Sequence, residues 1–207
     1  MGKSTVEQTV KTIKQSFRLI MNGVTMQSMK DKGAEYKISW GASLMHLREM
    51  AAEYPADYDL AVELWKSEVR ECKILATLLM PSDAMSREVA DIWMEQVKTQ
   101  EIAEQLVFNL LQHVAFAPEL AFEWLASDND LRQISAYNLL GRLFMQGQEP
   151  DERGICELLD QALVALKSES PSVQHAAMNC IVRFADIGDA YEILARKAIQ
   201  REGFDFI

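Results

Sequence analysis

Proline, cysteine and strand-forming runs are all scarce in this 207-residue chain, and each scarcity removes a class of structure. The three cysteines, Cys72, Cys156 and Cys180, lie far apart, each inside an apolar helical pattern, so neither a disulfide framework nor a cysteine-based zinc site is expected. All three read as small buried hydrophobes. No apolar run approaches the roughly 20 residues needed to span a bilayer, and the opening stretch MGKSTVEQTVKTIKQ lacks the apolar centre of a secretory signal. A cytoplasmic protein with no membrane partner is therefore expected. Alternation of β-branched residues is almost absent, which leaves no strand candidate. Phosphate-binding loops, GxGxxG, His-Glu-x-x-His, nucleophile elbows and cysteine pairs at ligand spacing are also missing. His46, His113 and His175 do not cluster, so no metal and no cofactor is expected.

What the chain does contain is helical periodicity. Apolar residues recur at three and four from Val6 to Ile20, as in Val10, Ile13, Phe17 and Ile20. The same spacing predicts helices over about 42–53, 56–67, 69–80, 84–97, 100–115, 117–126, 130–146, 151–167, 171–187 and 189–202. The five prolines, Pro55, Pro81, Pro118, Pro150 and Pro171, all fall between or at the starts of these segments. Four of the segments share one pattern: VRECKILATLL from Val69, IAEQLVFNLL from Ile102, LRQISAYNLL from Leu131 and VQHAAMNCIV from Val173. Such a repeat describes helix pairs that bury their apolar stripes only by stacking on one another. The expected fold is all-α, a HEAT-like α-solenoid of stacked antiparallel helix pairs in a single domain over residues 1–207. Trp65, Leu75, Leu110, Leu139 and Ile181 are expected in its interior.

The third position of each repeated segment is polar: Glu71, Glu104, Gln133 and His175. Equivalent positions on successive second helices would line a groove, although solvation of one helix shoulder gives the same pattern. Glu101 and Glu104, three apart on one helical side, are a candidate acid–base pair. The bland account is that KTQEIAEQ is the first turns of a helix capped by Thr99, with acids favoured by the helix dipole. Trp65, Trp93 and Trp124 read as packing between repeats. Tyr36 and Trp40 sit in YKISWGAS, a short connection with a permissive Gly41, and suit either closing the end of the solenoid or stacking on a base.

A formal charge of −10 argues against tight nonspecific binding to nucleic acid, which needs Lys and Arg on phosphates. The charge is uneven, however. Residues 1–48 hold eight Lys or Arg against three acids, and everything after them is acidic. Lys11, Lys14 and Arg18 in the first helix are therefore the candidate phosphate contacts, with a merely solvated helix as the alternative.

The stretch YKISWGASLMHLREMA followed by LAVELWKSEVRECKILATLL resembles the tyrosine, glycine-valine-serine and leucine-arginine turn-helix of the DNA alkylation repair enzyme family, and its leucine-tryptophan-x-serine signature. These are the HEAT-like DNA glycosylases that remove cationic alkylated purines. Weaker echoes at Trp93, LRQISAYNLL and VQHAAMNCIV extend the resemblance over about residues 5–200. It implies double-stranded DNA as a partner and an inner-helix aspartate that stabilises the developing sugar cation as the charged base departs. Where the family has a tryptophan and, four residues later, that aspartate, this chain has Gln100 and Glu104. The family's arginine falls on Gln133, with Arg132 one residue early and turned about 100° around the helix, and its last tryptophan falls near Asn179. The resemblance therefore implies a divergent member that binds DNA in its groove with weak or lost base excision; a monomer is expected. An active glycosylase using Glu104 is the enzyme alternative, and a scaffold for a protein partner is the second.

Overall fold

The computed structural model describes residues 3–34 and 36–203. The described residues form twelve α-helices and two short 3-10 turns, with one isolated parallel bridge between Ile38 and Val69. Two compact units share them, Met1–Leu110 and Leu111–Ile207.

In the first unit the helices are α1 (Lys3–Ser16), α2 (Gly23–Asp31), α3 (Leu44–Ala52), α4 (Tyr58–Trp65), α5 (Arg70–Leu79), α6 (Arg87–Glu95) and α7 (Gln100–Asn109). Side-chain caps start most of them. Asn22, Ser43, Asp57, Ser86 and Thr99 accept the amides of Thr25, His46, Leu60, Val89 and Ile102, satisfying donors that a helix start leaves open. Val6, Val10, Ile13 and Phe17 are the buried stripe of α1 and its following turn, with α1 packed on α4. α5 packs on α4, α3 and α7. The Trp65 and Trp93 rings stack at 4.2 Å with their planes 4° apart, joining α4 to α6. Such a pair contributes about 1 kcal/mol beyond its area burial.

The second unit holds α8 (Ala117–Leu125), α9 (Asp130–Met145), α10 (Glu152–Ala165), α11 (Pro171–Ala185) and α12 (Asp189–Arg201). α9 packs on α8 and on α11, which in turn packs on α10 and α12. Trp124, Tyr137, Leu139, Ile181 and Phe184 form its centre, and Phe184 meets Phe144 and Tyr191 edge to face. The second members of consecutive pairs thus lie side by side within each unit: α5 on α7, and α9 on α11. Trp65, Leu75, Leu110, Leu139 and Ile181 are all interior, none more than 2% exposed.

Three features depart from the sequence reading. α2 carries no buried side chain and so has no periodic stripe to betray it. The helix expected over 100–115 stops at Asn109, and a 3-10 turn, Leu111–His113, follows. Cys156 is exposed, unlike Cys72 and Cys180.

The register of the repeat is set by the caps. α5, α7, α9 and α11 start after Val69, Thr99, Asn129 and Ser170. Two residues before three of these caps a serine hydroxyl accepts the cap amide: Ser67 from Val69, Ser127 from Asn129, and Ser168 from Ser170. Four residues after the cap, Gln133 donates to the Ser127 carbonyl and Gln174 to the Ser168 carbonyl, each at 2.6 Å. Gln133 is therefore equivalent to Gln174 and not to His175. Glu71 lies two residues past its cap, whereas Glu104 and His175 lie five past theirs. The four polar positions do not form one equivalent set, and Glu101 is the counterpart of Glu71.

Candidate functional site

Lys11, Lys14 and Arg18 follow one another at three and four residues, the spacing that puts side chains on one helical side, and all three are exposed. They line an open cleft of about 420 Å³ together with Glu7, Val10, Gln15 and the half-buried Trp40. Three cations around one aromatic ring offer contacts to phosphate and a stacking surface.

Trp40 is held there by a buried polar network. Its carbonyl accepts the Asn22 amide at 2.8 Å, at the cap of α2. Its amide donates to Glu71 Oε1 at 3.1 Å, and the same oxygen accepts the Ala42 amide and the Ser39 hydroxyl, both at 3.3 Å. Gly41 between them has φ of 69°, and a Cβ there would come within 2.2 Å of the Asn22 carbonyl, so only glycine fits. Glu71 is fully buried. Arg70 beside it is 2% exposed and donates through Nη1 to Glu71 Oε1 and the Ala42 carbonyl, while its amide donates to the Ile38 carbonyl. Its other edge grips Glu101 in a bidentate pair, Nε to Oε2 at 2.7 Å and Nη2 to Oε1 at 2.5 Å. The Tyr36 hydroxyl donates to Glu101 Oε2 and accepts from Thr99 Oγ1.

The charges follow from these contacts. Burial opposes ionisation of Glu101, but hydrogen bonds from Arg70, its charge and the Tyr36 hydroxyl outweigh this and hold the carboxyl below its ordinary range. Burial and then the bond to Glu101 push the Tyr36 phenol well up. Burial also works against the Arg70 charge, yet its pairing with Glu101 and Glu71 raises its pKa further. This is an ion-paired clamp fastening residues 36–42 onto α5 and α7.

Glu71 is consequently not a groove residue: it is sealed inside, bonding the Trp40 loop. Tyr36 is half-buried in the same network, and Trp40 faces the cationic cleft. Glu104 is half-buried and accepts from the exposed Gln100 on its own helix at 2.8 Å. In the second unit Arg132 is half-buried, with its amide on the Asn129 cap. Gln133 lines a cleft of about 640 Å³ with Leu125, Tyr137, Gln161 and Lys167. His175 and Asn179 are exposed on α11.

Arg70 was not legible as a site residue because nothing in its own segment shows that its partner lies 31 residues on, and Glu101 stood out only beside Glu104. The available signal was the cap, which aligns Glu101 with Glu71. Lys73 was also missed: it is half-buried, donates to the Trp65 carbonyl at 2.9 Å and lies 4.3 Å from that ring, and burial lowers its pKa. Among the described residues no group of three or more His, Cys, Asp or Glu is arranged to hold a metal, and no helix is long and apolar enough to cross a membrane.

A family model described as DNA alkylation repair enzyme matches residues 13–176. Comparison with curated proteins gives no significant match. A solved structure described as "A new family of proteins related to the HEAT-like repeat DNA glycosylases with affinity for branched DNA structures" superposes with a TM-score of 0.81. It is 18% identical, over 94% of this chain and 83% of that one. That likeness makes the fold an all-α HEAT-like solenoid.

Proposed function

The chain belongs to the DNA alkylation repair enzyme family, and we propose that it binds DNA through the α1 cleft, prefers branched to plain duplex DNA, and has lost efficient base excision. The observation that carries the binding is the gathering of Lys11, Lys14, Arg18 and Trp40 around one cleft in a chain of net charge −10. Cations concentrated on one face are the electrostatic footprint of a phosphate-binding surface. The preference for branches draws on the relative whose description names affinity for branched DNA structures.

Loss of excision follows from the residues at the family's chemical positions. Glu104 carries one methylene more than the aspartate it replaces and is engaged by Gln100, so its carboxylate is displaced by about 1 Å from where a sugar cation would need it, a loss of about a hundredfold. Gln100, Gln133 and Asn179 supply neither the two indoles nor the guanidinium that the resemblance calls for.

Fluorescence anisotropy with a labelled four-way junction and a duplex of equal length tests the binding. Replacing Lys11, Lys14 and Arg18 together by alanine is expected to weaken both complexes at least tenfold; affinity unchanged by the triple replacement refutes the cleft. Release of an alkylated purine by excess protein should not exceed that in buffer. Release that disappears in Glu104→Gln would instead establish the active-glycosylase alternative.

A further inference from the structure

Of the twelve exposed large hydrophobics among the described residues, five fall between residues 19 and 38: Leu19, Met21, Val24, Met26 and Ile38. Leu19 and Val24 are 87% and 82% exposed, close to what an unfolded chain would show. α2, which carries two of the five, has no fully buried side chain, only the half-buried Thr25 and Met29. An apolar surface left in water costs about 25 cal/mol per Å² relative to a covered one, and its concentration here marks a contact surface.

The identity of the contact is argued from charge and continuity. Arg18, Lys30, Lys32 and Lys37 are exposed in the same stretch, against the acidic balance of the remaining chain. Arg18 lines the phosphate cleft and Leu19 follows it directly. Asn22, between Met21 and Val24, is tied to the carbonyl of Trp40, the ring that faces the same cleft. This pairing of cations with apolar side chains suits a polyanion that also exposes apolar faces beside its phosphates, and continuity with the Lys11–Lys14–Arg18 cleft points to DNA. An apolar side chain entering plain duplex DNA must first prise a stacked step apart, at about a few kcal/mol; at a branch point the continuous stack is already interrupted, so the same side chains meet base faces at less cost.

We infer that Leu19, Met21 and Val24 form an apolar wedge that enters the branch point of DNA whose phosphates lie in the adjoining Lys11–Lys14–Arg18 cleft. This rests on the DNA-binding reading above and supplies the element that discriminates branch from duplex. The cleft grips any backbone, and the wedge gains only where bases are unstacked.

The test replaces Leu19, Met21 and Val24 together by serine, with Leu19→Ser alone as a milder variant, each checked for an unchanged thermal melt. Loss of at least fivefold in the ratio of junction to duplex affinity is expected, with duplex affinity and its salt slope unchanged. A 2-aminopurine at the branch should brighten with the wild-type protein and stay dim with the variants. Retained preference, or equal brightening, overturns the wedge. Wild-type protein that binds junction and duplex equally also overturns it while leaving the cleft reading intact; failure to bind either DNA removes both. Two further outcomes would overturn it. One is retention on phosphatidylserine vesicles, lost in the variants while junction preference persists. The other is a wild-type dimer that the replacements dissolve.

Discussion

A guanidinium sealed between two carboxylates is stable only while all three keep their partners, because each charge alone would meet the full cost of burial. Arg70→Ala leaves Glu71 buried without its counter-cation and the Ala42 carbonyl without the guanidinium, so a loss of about 3–5 kcal/mol is expected in urea unfolding. The acid side is set by Glu101. Its carboxyl is held below the ordinary value, so its stabilising contribution is present above about pH 4.3 and disappears as pH falls through the lowered folded value. The stability gap between wild type and Glu101→Gln should therefore be open at neutral pH and close in acid, as read from paired urea titrations across that range. The thiols offer a separate check. Burial pushes Cys72 up to about 11 and raises Cys180 further, while Cys156 is exposed. Iodoacetamide near pH 8 should label Cys156 in the native protein and reach the other two only after unfolding, as mass spectrometry would show.

At the scale of elements, helix starts carry more information than helix faces. Thr99 caps α7 and also bonds Tyr36, which ties the start of a repeat helix to the stretch that carries Trp40. The loop itself depends on Gly41. Gly41→Ala must move either the Asn22 carbonyl or the Trp40 backbone, and is expected to weaken duplex binding as much as Trp40→Ala does; binding left at the wild-type level would separate the loop's geometry from DNA contact. Long helices with wide apolar stripes, such as α9 and α11, were legible from periodicity. α2 was not, since a helix with no fully buried side chain has no marked stripe. The register of the repeats was also misread from apolar runs, because those runs are tolerant of a shift, whereas a cap places each backbone amide at one distance from one side chain.

For the whole molecule the decisive quantity is the distribution of charge. Three phosphate contacts on an otherwise acidic chain give a salt slope of about 2.7, so a rise from about 50 to 200 mM salt should weaken duplex binding about 40-fold. The alanine triple replacement should nearly abolish that dependence. A slope of wild-type steepness after the replacement would move the phosphate contacts elsewhere on the surface.

The order of apolar residues along the chain was enough to determine an all-helical repeat fold and its interior anchors, since burial of a stripe is a local demand that every repeat makes alike; the family was legible only in the particular residues of the Tyr36–Trp40 stretch and the helix pair after it. The roles of Arg70, Glu71, Glu101 and Trp40 were decided only by the tertiary structure. Residues 31 and 65 positions apart in sequence meet there across α5, α7 and the loop, and whether a glutamate faces a groove or closes a buried ion cluster depends on which distant donors reach it first.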